Sequence, residues 1–413
     1  MIFTIVTIVF PPEPGAQTLK DIAEEMSKRG HQVTVIAPFP NRPSGHIMPG
    51  YQRRWKMTEK IDNYTVIHSW HTLSRKSAFF SRFFENFSFG ITSTWRILNL
   101  PKPDVVYLYN WPVFAAGMNS WALKNLISKD TKIVNNVRDI YPESLLGKKM
   151  IRENGFIAKT LRWLDKADLR RADVVITLSP SMKELLIEDR GLPPDKVLML
   201  PNWLDAGKFS DNLTKYGTFR QKHGIPKETF LAIFAGTITL SAGLDLYIKA
   251  AEILQNNDKI QILLVGEGSE RKRIEAKIAE KRLKNIRCIY PMLPEEVPQV
   301  QAAADVLLLS LTGEMSHSAA PSKQIAYMFS GRPILASITG TGTPASIIAD
   351  SKSGFVLPPG NPQAVADKLI ELSENPEGLE GIGENARNYA RNNFAKDVVM
   401  PKLINLFESL AEN

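Results

Sequence analysis

Three loops in this chain bunch side chains able to meet a negatively charged, oxygen-bearing ligand. The first is Pro11-Pro12-Glu13-Pro14-Gly15-Ala16-Gln17. Gly15 and Ala16 are small and stand between an apolar run and a helical stretch. Free backbone N–H groups and the positive end of a helix dipole favour a phosphate there, although a plain strand-to-helix turn explains the loop equally well. The second is Arg138-Asp139-Ile140-Tyr141-Pro142-Glu143-Ser144, directly after the strand expected at Lys132–Val137. Arg138 suits a phosphate or carboxylate, and Asp139 or Glu143 suits proton acceptance or a hydrogen bond to a sugar hydroxyl. A simple Arg138–Asp139 pair or a helix cap is the competing explanation. The third runs from Ala320-Pro321-Ser322-Lys323 through Gly331-Arg332-Pro333-Ile334 to Thr339-Gly340-Thr341-Gly342-Thr343. Pro321 and Ser322 open a helix, so the backbone N–H groups at Ser322 and the Lys323 ammonium face one anionic point. Gly331 ends that helix, and the glycine-rich turn permits close approach of a ligand. Taken together, the third set looks like a nucleotide-diphosphate pocket.

Several chemistries find no support. There is no Gly-x-Gly-x-x-Gly for a dinucleotide, no P-loop and no Gly-x-Ser-x-Gly. The six histidines show no ligand spacing and no Asp-x-Asp pair occurs, so neither a metal nor a cofactor is expected. His68 and His71 lie near a strand end, where lone histidines more often satisfy structural hydrogen bonds. Basic residues are scattered rather than clustered with aromatics, which argues against nucleic acid.

The elements that position these loops alternate as short apolar runs and amphipathic helices, the pattern of a parallel sheet covered by helices. Strands are expected at Ile2–Phe10, Gln32–Ala37, Tyr64–His68, Val105–Tyr109, Lys132–Val137, Val174–Leu178 and Val197–Leu200. A polar, irregular segment follows over Ala206–Lys227, and the pattern restarts at Phe230–Ala235, Ile260–Val265, Asn285–Tyr290 and Val306–Ser310. We read an α/β chain of two Rossmann-like domains facing a central cleft. Residues 1–204 form the first, 205–385 the second, and 386–413 a helical segment crossing back to the first. In such sheets ligands sit beyond the carboxyl ends of the strands.

Length and composition agree with this. The 413 residues carry 44% hydrophobic and 23% charged side chains with a formal charge of +8, which favours phosphate-bearing substrates or an anionic surface. The single cysteine, Cys288, fits a reducing compartment. Met1–Phe10 lacks a basic leader and reads as a buried strand, and no apolar run is long enough to span a bilayer. The expectation is a cytoplasmic protein, peripheral on the inner face of the cytoplasmic membrane. One stretch bears on that. From Arg75 to Leu98, Phe80, Phe83, Phe84, Phe87, Ile91, Trp95 and Leu98 recur at helical spacing, with Arg75, Lys76, Arg82 and Arg96 around them. Such a helix lies in an anionic membrane interface or packs its stripe on a sheet; the spacing fits both.

In this order the motifs have a family look. The chain resembles retaining family 4 glycosyltransferases of the GT-B fold, in particular those building bacterial O-antigen, capsule and exopolysaccharide, L-fucosamine transferase-like members among them. The resemblance rests on Phe10-Pro11-Pro12-Glu13-x-Gly15, Arg29-Gly30-His31-Gln32-Val33, Val137-Arg138-Asp139-Ile140-Tyr141-Pro142-Glu143-Ser144 and Pro201-Asn202-Trp203. It continues in Ala235-Gly236, Val265-Gly266-Glu267-Gly268, Ala304-Asp305-Val306 and Pro321-Ser322-Lys323. It implies metal-independent transfer from a nucleotide-sugar, UDP-linked by family weight, to a glycan or lipid-diphosphate-linked acceptor. Gly15, Ala16, Gly236, Thr237, Gly266, Glu267, Gly268, Pro321, Ser322, Lys323 and Thr343 would hold the donor. Arg138, Asp139, Glu143 and Lys323 would serve catalysis, and Phe80, Phe84, Phe87 and Trp95 the acceptor or membrane.

The chain also departs from the pattern. Thr237 and Ala242 stand where many members carry a diphosphate-clamping Arg and Lys. Ser318 and Ala326 stand where a spaced glutamate pair is usual, with Glu314 nearby. These gaps keep two other readings open: a non-catalytic GT-B partner protein, and a nucleotide-sugar epimerase of the same fold.

Overall fold

The structure, a computed structural model, describes residues 1–412 other than 43, 75–78, 111–112, 148–149, 210–212, 291–292 and 312–321. The chain divides into two compact units, Met1–Pro201 with Met400–Asn413, and Asn202–Val399.

The first unit is built on β1 (Ile2–Val6), β2 (Gln32–Pro38), β3 (Lys56–Ile61), β4 (Tyr64–Ser69), β5 (Val105–Tyr109), β6 (Lys132–Val137), β7 (Val174–Thr177) and β8 (Val197–Met199). They form one sheet in the order β3-β4-β2-β1-β5-β6-β7-β8. Only β3 and β4 pair antiparallel, around Asp62-Asn63 with Asp62 at φ 47°. Strand β3 is not among the expected strands because it buries neither face, so it leaves no apolar run to see. The first strand stops at Val6 rather than at Phe10. Thr7 turns the chain, its hydroxyl bonding the carbonyl and N–H of Val9, and Ile8 and Phe10 continue as buried loop.

Helices cover both faces of this sheet. On one, Phe407 of the C-terminal helix Lys396–Glu412 sets its ring 4.8 Å from Phe3 and 5.3 Å from Tyr107. Glu408 of that helix takes hydrogen bonds from Arg29 and His31, just past α1 (Gln17–Lys28). On the other face, Val6, Ile36, Val106, Leu108 and Ile133 pack with Phe89 and Ile97 of α2 (Phe79–Leu98) and Ala115 of α3 (Val113–Ala122). After α4 (Glu143–Gly147), α5 (Phe156–Arg171) packs beside α3. Among the described residues no helix is long and apolar enough to cross a membrane.

The second unit is a six-stranded parallel sheet of β9 (Phe230–Ala235), β10 (Ile260–Val265), β11 (Ile286–Ile289), β12 (Val306–Ser310), β13 (Ile334–Ser337) and β14 (Gly354–Leu357), ordered β11-β10-β9-β12-β13-β14. Strand β9 is buried throughout, with Leu231, Ile233 and Ala235 in one core layer and Phe230, Ala232 and Phe234 in the other. Burial on both faces explains its unbroken apolar run. The helix Leu379–Phe394 belongs to this unit, because Ala386, Ala390 and Phe394 are part of its core. The return to the first unit therefore falls at Met400 rather than at 386.

Each sheet reverses its strand order once, between β1 and β5 in the first unit and between β9 and β12 in the second. At such a switch point the flanking loops diverge and leave a crevice at the carboxyl ends.

Candidate functional site

In the second unit the switch point is held open by one phenol. Strands β9 and β12 pair only at Val306↔Ala232 and Leu307↔Ile233. Beyond those pairs the Tyr327 hydroxyl accepts from the Ala235 N–H at 2.8 Å and lies 3.2 Å from the carbonyls of Ala235 and Leu308. Tyr327 is fully buried on the helix Ser322–Phe329, which follows β12.

Lys323 is the second residue of that helix. Its Nζ lies 3.7 Å from the centroid of the Phe234 ring, and its stem crosses Gly236 so closely that a Cβ there would stand 2.6 Å from Cε. Burial lowers the Lys323 ammonium from its ordinary range to about 7. Among the described residues none forms an ion pair with it. A desolvated amine at a helix start gains strongly from an incoming anion, which restores the favourable charge that burial has removed.

The adjoining loops are glycine-built for contact with one another. A Cβ on Gly266, at φ 140°, would overlap the Gly236 carbonyl oxygen, and one on Gly268 would overlap the Ile238 carbonyl oxygen. The loops after β9 and β10 are laced together by Gly236 N–H to Val265 O at 2.9 Å and Ile238 N–H to Glu267 O at 2.8 Å. Thr237 is exposed on this rim. Glu267 is exposed too, its carboxylate paired with Arg271. Thr343 is buried at the start of the helix Thr343–Ser351, behind Gly342 at φ 105°. Gln324 ties the two helices together by bonding the Pro344 carbonyl at 2.9 Å. Ser322 is exposed at its helix start, and Ala326 packs against the core. Pro321, Ser318 and Glu314 lie outside the described residues.

In the first unit, Gly15 is exposed at φ 81° and Ala16 is buried as the N-cap of α1. Arg138 reaches across the switch point from β6 to the hydroxyl of Thr18 on α1 at 3.5 Å, and lies 5.4 Å from the Tyr109 ring centroid. Asp139 beside it is exposed and acts electrostatically on Tyr109 and Tyr141, raising both phenols further above their usual range after burial has done most of the work. Glu143 is differently placed. Its carboxylate is taken by Arg190 at 2.5 Å and Arg162 at 3.1 Å, so it serves to anchor its turn. Arg190 is fully buried and also bonds the Tyr141 carbonyl at 2.6 Å and Asp165 at 2.8 Å. Burial lowers the Arg190 pKa, and Asp165 and Glu143 more than offset that. Burial lifts Asp165 to about 7, against the pull of Arg190.

The sheet also gathers a polar cluster that no spacing in the sequence signals. Glu13 is buried and accepts from the backbone N–H groups of Asn41 and Arg42, each at 2.8 Å. Asn41 donates to His71 Nε2 at 2.9 Å, and Arg42 stands 3.5 Å from the buried Glu85 carboxylate. Burial drives His71 down to about 4, so it stays neutral, and raises the Glu13 carboxyl despite its two backbone donors. His68 bonds the Pro38 carbonyl and Glu59. Glu13, Arg42 and His71 follow β1, β2 and β4 and Glu85 lies on α2, so only the fold brings them together. Phe84, Phe87 and Trp95 are exposed on α2; the side chain of Phe80 lies outside what the structure describes. Among the described residues no group of three or more His, Cys, Asp or Glu side chains is arranged to hold a metal.

Known proteins share this architecture and resemble the sequence at low identity. An uncharacterized glycosyltransferase of Methanocaldococcus jannaschii is 22% identical over 100% of this chain and 99% of its own. An O-antigen chain mannosyltransferase of Escherichia coli is 25% identical over 53% of this chain and 56% of its own, so that match spans little more than half of either protein. The crystal structure of Anabaena HepE in complex with UDP superposes with a TM-score of 0.72 at 17% identity, covering 99% of this chain and 100% of HepE. Residues 15–208 match the model of Glycosyltransferase Family 4, and residues 216–389 that of Glycosyl transferases group 1. The chain is thus a glycosyltransferase of the GT-B type, with a family 4 domain in its first unit and a group 1 domain in its second.

Proposed function

We propose that this protein is a retaining, metal-independent transferase that moves a sugar from a nucleotide-sugar, with UDP as the carrier, to a glycan or lipid-linked saccharide in surface polysaccharide assembly. It would work as a peripheral protein on the inner face of the cytoplasmic membrane. The observation that carries the reading is Lys323, a desolvated amine at a helix start beside the β9–β12 switch point. As the bond between the donor sugar's anomeric carbon and the diphosphate oxygen breaks, its electron pair stays on that oxygen, while the acceptor hydroxyl oxygen bonds to the carbon and gives up its proton. Lys323 and the N–H groups at Ser322 meet that charge, and stabilisation of this kind is worth roughly 10²–10³ in rate. Asp139, exposed on the first unit, is the carboxylate we assign to an acceptor hydroxyl, and Arg138 beside it suits an acceptor phosphate. The O-antigen mannosyltransferase among the relatives and the UDP held by HepE support this choice of donor and pathway.

Calorimetric titration with UDP, GDP, ADP and dTDP in the presence of a chelator tests the reading. Saturable binding of one nucleotide, lost in Lys323→Ala, is expected. Binding of none would favour a non-catalytic partner protein, a reading supported by Ala326, an apolar residue packed against the core where the family pattern would place a glutamate. Isomerised donor in the absence of acceptor would point to an epimerase.

A further inference from the structure

Helix α2 is partly inverted for a helix that faces water. Beside Phe89 and Ile97 its buried side carries Glu85, Thr92, Ser93 and Arg96, while Phe84, Phe87, Ile91, Trp95 and Leu98 stand exposed at helical spacing. The inversion is built in, because the inward polar groups have partners. Arg96 bonds the Trp55 carbonyl at 2.6 Å, Thr92 the Trp70 carbonyl at 2.7 Å, and Ser93 accepts from Asn119 at 2.9 Å. Glu85 pairs with Arg82 and Arg42.

The neighbouring helices extend the same surface. Trp121 closes α3 at 48% exposure, and α5 presents Phe156 at 83% and Trp163 at 67%. Trp55, Trp95, Trp121 and Trp163 help line an open, mainly apolar groove of about 670 Å³. Charge is sorted as strictly as polarity. The carboxylates of these helices, Glu85, Asp165 and Asp168, are all buried, whereas Arg82, Lys159, Lys166, Arg170 and Arg171 reach the surface. A continuous apolar face of this extent marks an interaction surface. Tryptophans set among cations, with no exposed acid on the same helices, match an interface with anionic lipid.

We propose that the face formed by α2, α3 and α5 docks on an anionic lipid bilayer, with Trp95, Trp121 and Trp163 at headgroup depth. This deepens the peripheral location in the proposed function and rests on that part of it, not on the transfer chemistry.

Flotation of the full chain with vesicles of phosphatidylcholine, alone or mixed with phosphatidylglycerol, is the test. About tenfold stronger binding to the anionic vesicles is expected, weakening as salt rises. Trp121→Ser with Trp163→Ser lowers that binding about tenfold, and Lys159→Glu with Arg170→Glu removes the preference for phosphatidylglycerol. All four side chains point outward, so melting temperatures stay unchanged. No binding by the wild type, or undiminished binding by the tryptophan variant, overturns the proposal. So does a concentration-dependent dimer that the tryptophan variant abolishes while vesicles go unbound, which would assign the face to a second copy. UDP titration of the same variants without vesicles separates the two readings. A wild type that floats with anionic vesicles but binds no nucleotide sinks the transferase reading and supports this one.

Discussion

The ammonium nitrogen of Lys323 lies over the ring of Phe234, 3.7 Å from its centroid, with Gly236 leaving room for the stem. Phe234 is the last residue but one of β9 and Lys323 the second residue of a helix after β12, so their meeting is a product of the β9–β12 switch point. An aromatic face favours the cation, yet burial outweighs it and holds the amine at about 7.

Nucleotide affinity should therefore depend on pH in a defined direction. A nucleoside diphosphate binds the protonated amine, which the free protein loses above about 7. Calorimetry from pH 6.5 to 9 should show affinity falling by up to about tenfold per unit above that point. Lys323→Arg, which keeps its charge throughout, should flatten the profile even if it binds more weakly.

The same residue should cost stability. Its folded pKa is depressed below the unfolded value of 10.5, so the penalty is full below about 7 and fades as pH rises towards 10.5. Lys323→Met should raise the melting temperature clearly at pH 6 and little near pH 10. An equal gain at both would show that the amine is not held away from water.

Tyr327→Phe removes one oxygen and leaves the buried Ala235 N–H without its acceptor. A loss of about 1–3 kcal/mol in denaturant unfolding is expected. Nucleotide binding should weaken as well, since the phenol fixes the end of the strand that carries Phe234.

Arg190→Met strands Asp165 and Glu143 in the first unit. Removing one partner of a buried ion pair costs about 3–5 kcal/mol. Part of that loss should be recovered at low pH, because Asp165 then takes up a proton. A variant as stable as the wild type at pH 8 would show that the network is solvated.

Gly266→Ala places a methyl group against the Gly236 carbonyl at a φ of 140°. Strain and overlap together should cost about 2–4 kcal/mol. Gly340→Ala, with open space at its Cβ, is the control and should leave the unfolding midpoint in place.

Much of the framework could be read from residue order, because parallel strands buried on both faces announce themselves as apolar runs such as Phe230–Ala235 and Val306–Ser310. The loops that follow the expected strands then name Arg138, Asp139, Gly266 and Lys323 as candidates. Strand β3 escaped because a strand with no buried face has no pattern.

What residue order determined by itself was local: the runs, the turns, and the helical spacing of Phe84, Phe87, Ile91 and Trp95. Spacing fixes that these four share a side of α2, but not whether that side meets the sheet or the solvent. That depended on partners far away in the chain, such as the Trp55 carbonyl that draws Arg96 inward. The environments of Lys323 and Glu143 were decided in the same way. Desolvation and ion pairing act through space, and Phe234, Arg162 and Arg190 reach those residues only once the sheets have formed.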